Sequence, residues 1–136
     1  MNNAGLLIPD WIGAVRDEDV DRLFDVNAKG VVYGTREAAR RFVQRGGGHI
    51  VNVGSLAGLA PIPGLSLYVA SKFAVRGFTL AVGTELAKQG VAVTLVMPDA
   101  VQTPMITRQL DRDELAVTLS GAGKRKLAAY RREPAE

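Results

Sequence analysis

Tyr68 and Lys72 stand four residues apart in the stretch Tyr-Val-Ala-Ser-Lys. On a helix that spacing stacks a phenol and an ammonium on one face. A phenol titrating near ~10 is a poor proton shuttle at neutral pH. A lysine charge about 5 Å away, at an effective dielectric of ~20, contributes roughly 3 kcal/mol, or about two pKa units. The pair therefore predicts a tyrosine drawn down toward the range where general acid/base catalysis is efficient. A Tyr and a Lys at this spacing are also common as a plain surface pair, so the assignment needs support from other residues.

That support is ordered along the chain. Ser55 lies thirteen positions before Tyr68 and closes the stretch Ile50, Val51, Asn52, Val53, Gly54, Ser55. Asn27 lies twenty-eight positions before Ser55, and the chain opens with Asn2, Asn3, Ala4, Gly5. Pro98 follows an apolar run, with Thr103 and Pro104 soon after. Over residues 1 to 110 this order resembles the short-chain dehydrogenase/reductase family and its Asn, Ser, Tyr, Lys tetrad.

The resemblance implies an oxidoreductase that transfers a hydride between NAD or NADP and an alcohol or ketone. Tyr68 would be the general acid/base. Lys72 would lower the Tyr68 pKa and hold the nicotinamide ribose, and Ser55 would bond the substrate oxygen. Asn27 would hold, through its backbone and a water, a proton path to Lys72. Asn2, Ala4 and Gly5 would pass beside the adenosine ribose, and Pro98, Val101 and Thr103 would border the nicotinamide. Gly58 to Leu65 and the segment from Met105 would shape the substrate pocket, and Leu59, Ile62 and Leu65 hint at an apolar substrate. The family usually has glycine after the proline of this segment, whereas Asp99 follows Pro98 here. A carboxylate there could disturb a backbone shape that glycine tolerates better.

The family's glycine-rich turn, where backbone N–H groups and a helix N-terminus hold a pyrophosphate, precedes the Asn-Asn-Ala-Gly motif. Gly46, Gly47 and Gly48 are no substitute, because they precede an apolar strand instead of following one. The expected fold class is thus α/β: the C-terminal, incomplete part of a doubly wound Rossmann-type parallel sheet with flanking helices. Residues 1–110 would be its catalytic part and residues 111–136 a weakly helical basic tail. Met1 stands where relatives carry an apolar strand residue, so a reading frame continuing upstream into a glycine-rich turn is expected. The competing reading is an inactive remnant serving as a dimerisation or regulatory module.

Asp17 is expected to cap a helix running to about Asp25, with Asn27 where that helix yields to a second, residues 28–44. Gly30 and Gly34 on the second helix suggest close approach of another backbone. Residues 50–53 read as a strand, 56–67 as a loop, and 67–88 as a third helix stopped at Gly90. The near-continuous apolar run Val91 to Met97 predicts a strand covered on both faces. Two such strands alone leave an edge open, so the isolated chain is expected to be marginal, oligomeric or partly disordered. By resemblance, the oligomer would form through the two long helices.

Composition is that of a globular domain, 47% apolar and 23% charged. No apolar run is long enough for a membrane span, and no cysteine is present for disulfides or thiolate metal sites. A cytoplasmic location is the expectation, with neither a membrane nor a nucleic acid as partner. Residues 1–123 balance twelve basic against twelve acidic side chains, so the net charge of +3 sits in residues 124–136. His49 has no partner at metal-ligand spacing and reads as structural, and Trp11 and Phe73 read as packing residues.

Overall fold

A computed structural model of the protein describes residues 1–101 and Met105. Thr103 and the basic tail lie outside the described residues.

Asp17 to Gln44 forms one helical run in three parts. Helix α1 spans Asp17–Phe24, a π turn spans Asp25–Lys29, and helix α2 spans Gly30–Gln44. Asp17 is the first helical residue and not the cap. Arg16 takes the cap position without a side-chain cap bond and pairs with Asp19 at 2.8 Å. Asp17, Glu18 and Asp19 place negative charge in the first turn, where the helix dipole favours it. The expected break near Asn27 is instead a widened turn, with helical dihedrals at Phe24 and Gly30 on either side. The extra residue of a π turn re-aims side chains without ending the helix, and such turns often mark functional sites. Here Asn27 is fully buried. Gly46, at φ 83°, takes the chain out of α2 in a conformation that favours glycine.

Strand β1 (Gly48–Val53) and strand β2 (Val91–Val96) run parallel, in register from Gly48 opposite Val91 to Val53 opposite Val96. Helix α3 (Ser66–Ala87) connects them, after a 3₁₀ turn at Leu56–Gly58, and Gly90 (φ 73°) turns the chain into β2. On the other side of β1, Asn2 donates to the Val51 carbonyl at 2.8 Å and accepts from Val53 N–H at 3.0 Å. The chain start therefore lies alongside β1 as a single bridge.

One sheet face packs on α2 and α3. Its core is Ile50, Leu86 and Val91, with Ala38, Ala39, Phe42, Val82 and Val93 against them. The opposite face carries His49, Ala92, Thr94 and Val96, all exposed. The expectation of a strand covered on both faces is corrected: both helices lie on one side, so β2 alternates buried and open among the described residues.

Hydrogen bonds lace the buried side. Asn2 Nδ2 donates to Thr35 Oγ1 (3.1 Å) and Asn52 Oδ1 (2.8 Å), and Asn52 Nδ2 donates to Thr79 Oγ1 (3.1 Å). This set joins the chain start, α2, β1 and α3. Gly34 makes room for it, since a methyl there would overlap the Asn2 side chain. The expected neighbour of Gly34 was a backbone; it is a side chain. A Cβ added at Gly30 would stand 3.6 Å from the Asp25 carbonyl of the same helical run, an ordinary contact.

Trp11 and Phe73 are exposed, which corrects their assignment as packing residues. His49 Nε2 bonds Thr94 Oγ1 at 2.8 Å across the open sheet face, a structural role.

Candidate active site

The carboxyl ends of β1 and β2 form one rim. Gly54 N–H donates to Val96 O at 2.7 Å and Leu56 N–H to Pro98 O at 3.0 Å, so the two strands leave the sheet together. Ser55 sits on this rim in extended backbone, and its Oγ accepts from Ala57 N–H at 3.1 Å, starting the 3₁₀ turn. Gly58 ends that turn against α3, where an added Cβ would stand 2.8 Å from the Lys72 carbonyl oxygen.

Helix α3 presents Tyr68 and Lys72 one turn apart, as expected. The Lys72 ammonium lies over the Tyr68 ring, 5.6 Å from its centroid. The Ser55 side chain is near enough to the phenol to influence its proton affinity. The phenol's proton affinity departs from expectation. Burial pushes Tyr68 above the usual tyrosine value, and the influence of Ser55 only partly opposes it. The expected downward pull of Lys72 is corrected: with the ammonium 5.6 Å from the ring centroid, burial and not the lysine charge sets the direction. Burial also pulls Lys72 below the usual lysine range.

Lys72 is only 5% exposed, and its Nζ reaches Val53 O at 3.4 Å. An ammonium carries three donors, so a buried lysine with one long bond and no ion pair among the described residues has donors to spare. They lie beside Gly5: a Cβ there would stand 3.8 Å from Lys72 Nζ and 3.7 Å from Asn27 Oδ1. The Met105 methyl is 3.8 Å from the same point.

Asn27 turns its side chain inward. Oδ1 accepts from Leu6 N–H at 2.7 Å, while Nδ2 donates to Leu6 O at 2.9 Å and to Ser71 Oγ at 3.0 Å. Ser71 was not singled out in the sequence, and a hydroxyl in a helix interior without a capping role was the available signal. The Asn2 side chain is spent on Thr35 and Asn52, and of the opening residues Gly5 lies beside Asn27 and Lys72. Val101 is exposed. Asp99 accepts from Ala100 N–H at 2.8 Å, and no non-glycine residue described has positive φ, so aspartate fits here without strain. The structure thus gathers Asn27, Ser55, Tyr68, Lys72 and Gly5 into one site. A buried cation with spare donors beside a glycine suits a polyhydroxylated ligand, and the Ser55–Tyr68 pair suits proton exchange with an oxygen.

Comparison with known proteins agrees. The family model for short chain dehydrogenase matches residues 1–114. Diacetyl reductase [(S)-acetoin forming] of Staphylococcus aureus is 41% identical over 107 residues, covering 78% of this chain and 42% of the relative. A gluconate 5-dehydrogenase of Burkholderia cenocepacia, solved with NADP and tartrate, superposes with a TM-score of 0.79 at 28% identity, over 85% of this chain and 45% of that one. Acetoin dehydrogenase of Enterobacter cloacae superposes with a TM-score of 0.72 at 34% identity, over 82% and 44%. The chain spans less than half the length of these relatives. It belongs to the short-chain dehydrogenase family.

Proposed function

We propose that the chain is the catalytic part of an NAD(P)-dependent oxidoreductase acting on a small alcohol or ketone, with Tyr68 as general acid/base. The observation that carries this reading is the convergence of Tyr68, Ser55 and the buried Lys72 on one rim, with Gly5 leaving space beside the ammonium. The nicotinamide, when bound, supplies or takes the hydride. Lys72 donates its spare hydrogen bonds to ribose hydroxyls. Ser55 donates to the substrate oxygen and supports charge developing there. Tyr68 gives a proton to that oxygen in reduction or takes one in oxidation. Among the described residues nothing offers a phosphate cradle, so the residues present fit the nicotinamide end alone. A cytoplasmic setting fits the cysteine-free composition, and no described helix is long and apolar enough to cross a membrane.

The test is reduction of diacetyl by NADPH and by NADH with the 136-residue chain. Tyr68→Phe should lower turnover by at least ~100-fold, the scale of a lost general acid. Undiminished turnover in Tyr68→Phe would sink the reading.

The second reading, a remnant kept for its interface, draws on a groove of ≈ 580 Å³ between α2 and α3, lined by Val32, Ala39, Val43, Phe78 and Val82, with Arg36 and Glu85. We infer that a second copy packs here whichever reading holds. A remnant should show no saturable NADPH binding by nicotinamide fluorescence, whereas the enzyme reading requires it.

A further inference from the structure

Ser71 lies inside α3 between Tyr68 and Lys72 and has no exposed surface. Serine is mildly unfavourable in a helix interior, because its hydroxyl competes for backbone hydrogen bonds. Burying a hydroxyl costs further free energy unless it finds partners. Here it donates and accepts: Oγ donates to the Tyr68 carbonyl at 2.8 Å and accepts from Asn27 Nδ2 at 3.0 Å. The rest of the Asn27 amide is taken up by the Leu6 backbone. Ser71 thus links α3 to the π turn, and through Asn27 to the segment beside Gly5.

We propose that Ser71 is a positioning residue that fixes the Tyr68–Lys72 turn relative to Asn27 and Gly5. It touches no reacting atom and acts through the Tyr68 carbonyl and the Asn27 amide. The catalytic consequence rests on the acid/base reading of Tyr68; the positional one does not. Apolar packing around α3 is non-directional and tolerates small slides or rotations. A linear hydrogen bond tolerates them far less. A displacement of ~1 Å at a reacting group can cost on the order of a hundredfold in rate. Lys72 cannot supply this restraint, since its own bond to Val53 O is long at 3.4 Å.

The test uses the isotope-labelled 136-residue chain with Ser71→Ala and Ser71→Thr. In Ser71→Ala one Asn27 Nδ2 proton resonance should move upfield and exchange roughly tenfold faster, as expected for one lost buried hydrogen bond. With NADPH and diacetyl, kcat should fall roughly tenfold or more while KM for NADPH holds. Ser71→Thr keeps the hydroxyl and should restore most of both. A Ser71→Ala chain that merely melts earlier, with the Asn27 resonance, its exchange and kcat all unmoved, overturns the proposal. If the unsubstituted chain turns over no diacetyl, the acid/base reading fails, and the Asn27 resonance alone decides the positional claim. Should Ser71→Ala fail to fold, Ser71→Cys, close in size with a weakly accepting sulfur, takes its place in the same comparison.

Discussion

The residue that departs most from its sequence reading is Tyr68. Spacing alone put an ammonium near the phenol and implied a lowered pKa, but spacing on a helix says nothing about which part of the ring the cation meets. Burial dominates here, so Tyr68 holds its proton more tightly and Lys72 less tightly than usual. The two act on stability in opposite senses. A raised tyrosine stabilises the fold below its unfolded value near ~10, and that contribution is lost as pH rises through the folded value. A lowered lysine stabilises above its unfolded value near ~10.4 and loses that contribution as pH falls through the folded value, so at neutral pH the buried ammonium is a net cost. Lys72→Met should therefore raise the melting temperature at pH 7 by several degrees, roughly 4 °C per kcal/mol recovered, while abolishing turnover. Ultraviolet titration supplies the companion check, in which the component missing from Tyr68→Phe should ionise above the ordinary tyrosine range. A Tyr68 component titrating below that range would restore the sequence-based expectation instead.

At the scale of elements, the site depends on how closely the 3₁₀ turn Leu56–Gly58 approaches α3. Gly58 is buried, and a methyl there would stand 2.8 Å from the Lys72 carbonyl oxygen and 3.2 Å from its carbon. Backbone cannot yield as a flexible side chain can, so Gly58→Ala should separate the turn from the helix. Ser55, which begins that turn, would move away from the phenol. We expect a stability loss of about 1–3 kcal/mol, typical of overpacking, together with a fall in kcat at little-changed affinity for NADPH. A Gly58→Ala chain with unaltered denaturation midpoint and kcat would show that the approach is slack. The sequence displayed Gly58 as a loop glycine without naming its neighbour, because close approach is a tertiary property. It did locate the strands, the stops at Gly46 and Gly90 and the Tyr68–Lys72 face, since these follow from periodicity and glycine chemistry. The π turn could not be read there: an inserted residue shifts which side chains face inward without changing composition, and Asn27 looked like the place where one helix gives way to another.

For the whole molecule, two surfaces expose apolar side chains, and they differ in kind. The α2–α3 groove combines apolar lining with Arg36 and Glu85, charges of opposite sign that a two-fold related copy could match. The outer sheet face, with Val96 42% exposed beside Ala92, Thr94 and His49, belongs to a chain that covers 42% of one such relative. The sequence anticipated burial there because Val91 to Met97 is apolar but for Thr94, and a near-continuous apolar run records what a strand is suited to meet, whether or not the described residues include it. The two surfaces should respond separately. Phe78→Glu, in the groove, should convert a dimer to a monomer in sedimentation velocity and leave binding of an apolar dye unchanged. Val96→Lys, on the open face, should reduce dye binding and aggregation while changing the melting temperature little, because an exposed position has little packing to lose. Ile50→Lys, next to the open-face His49 in sequence but on the packed side, should abolish folding, since it buries an unpaired charge in the core of Leu86 and Val91. If Val96→Lys proved as damaging as Ile50→Lys, the outer face would have to be covered in solution, and the sheet would be two-sided as its sequence first suggested.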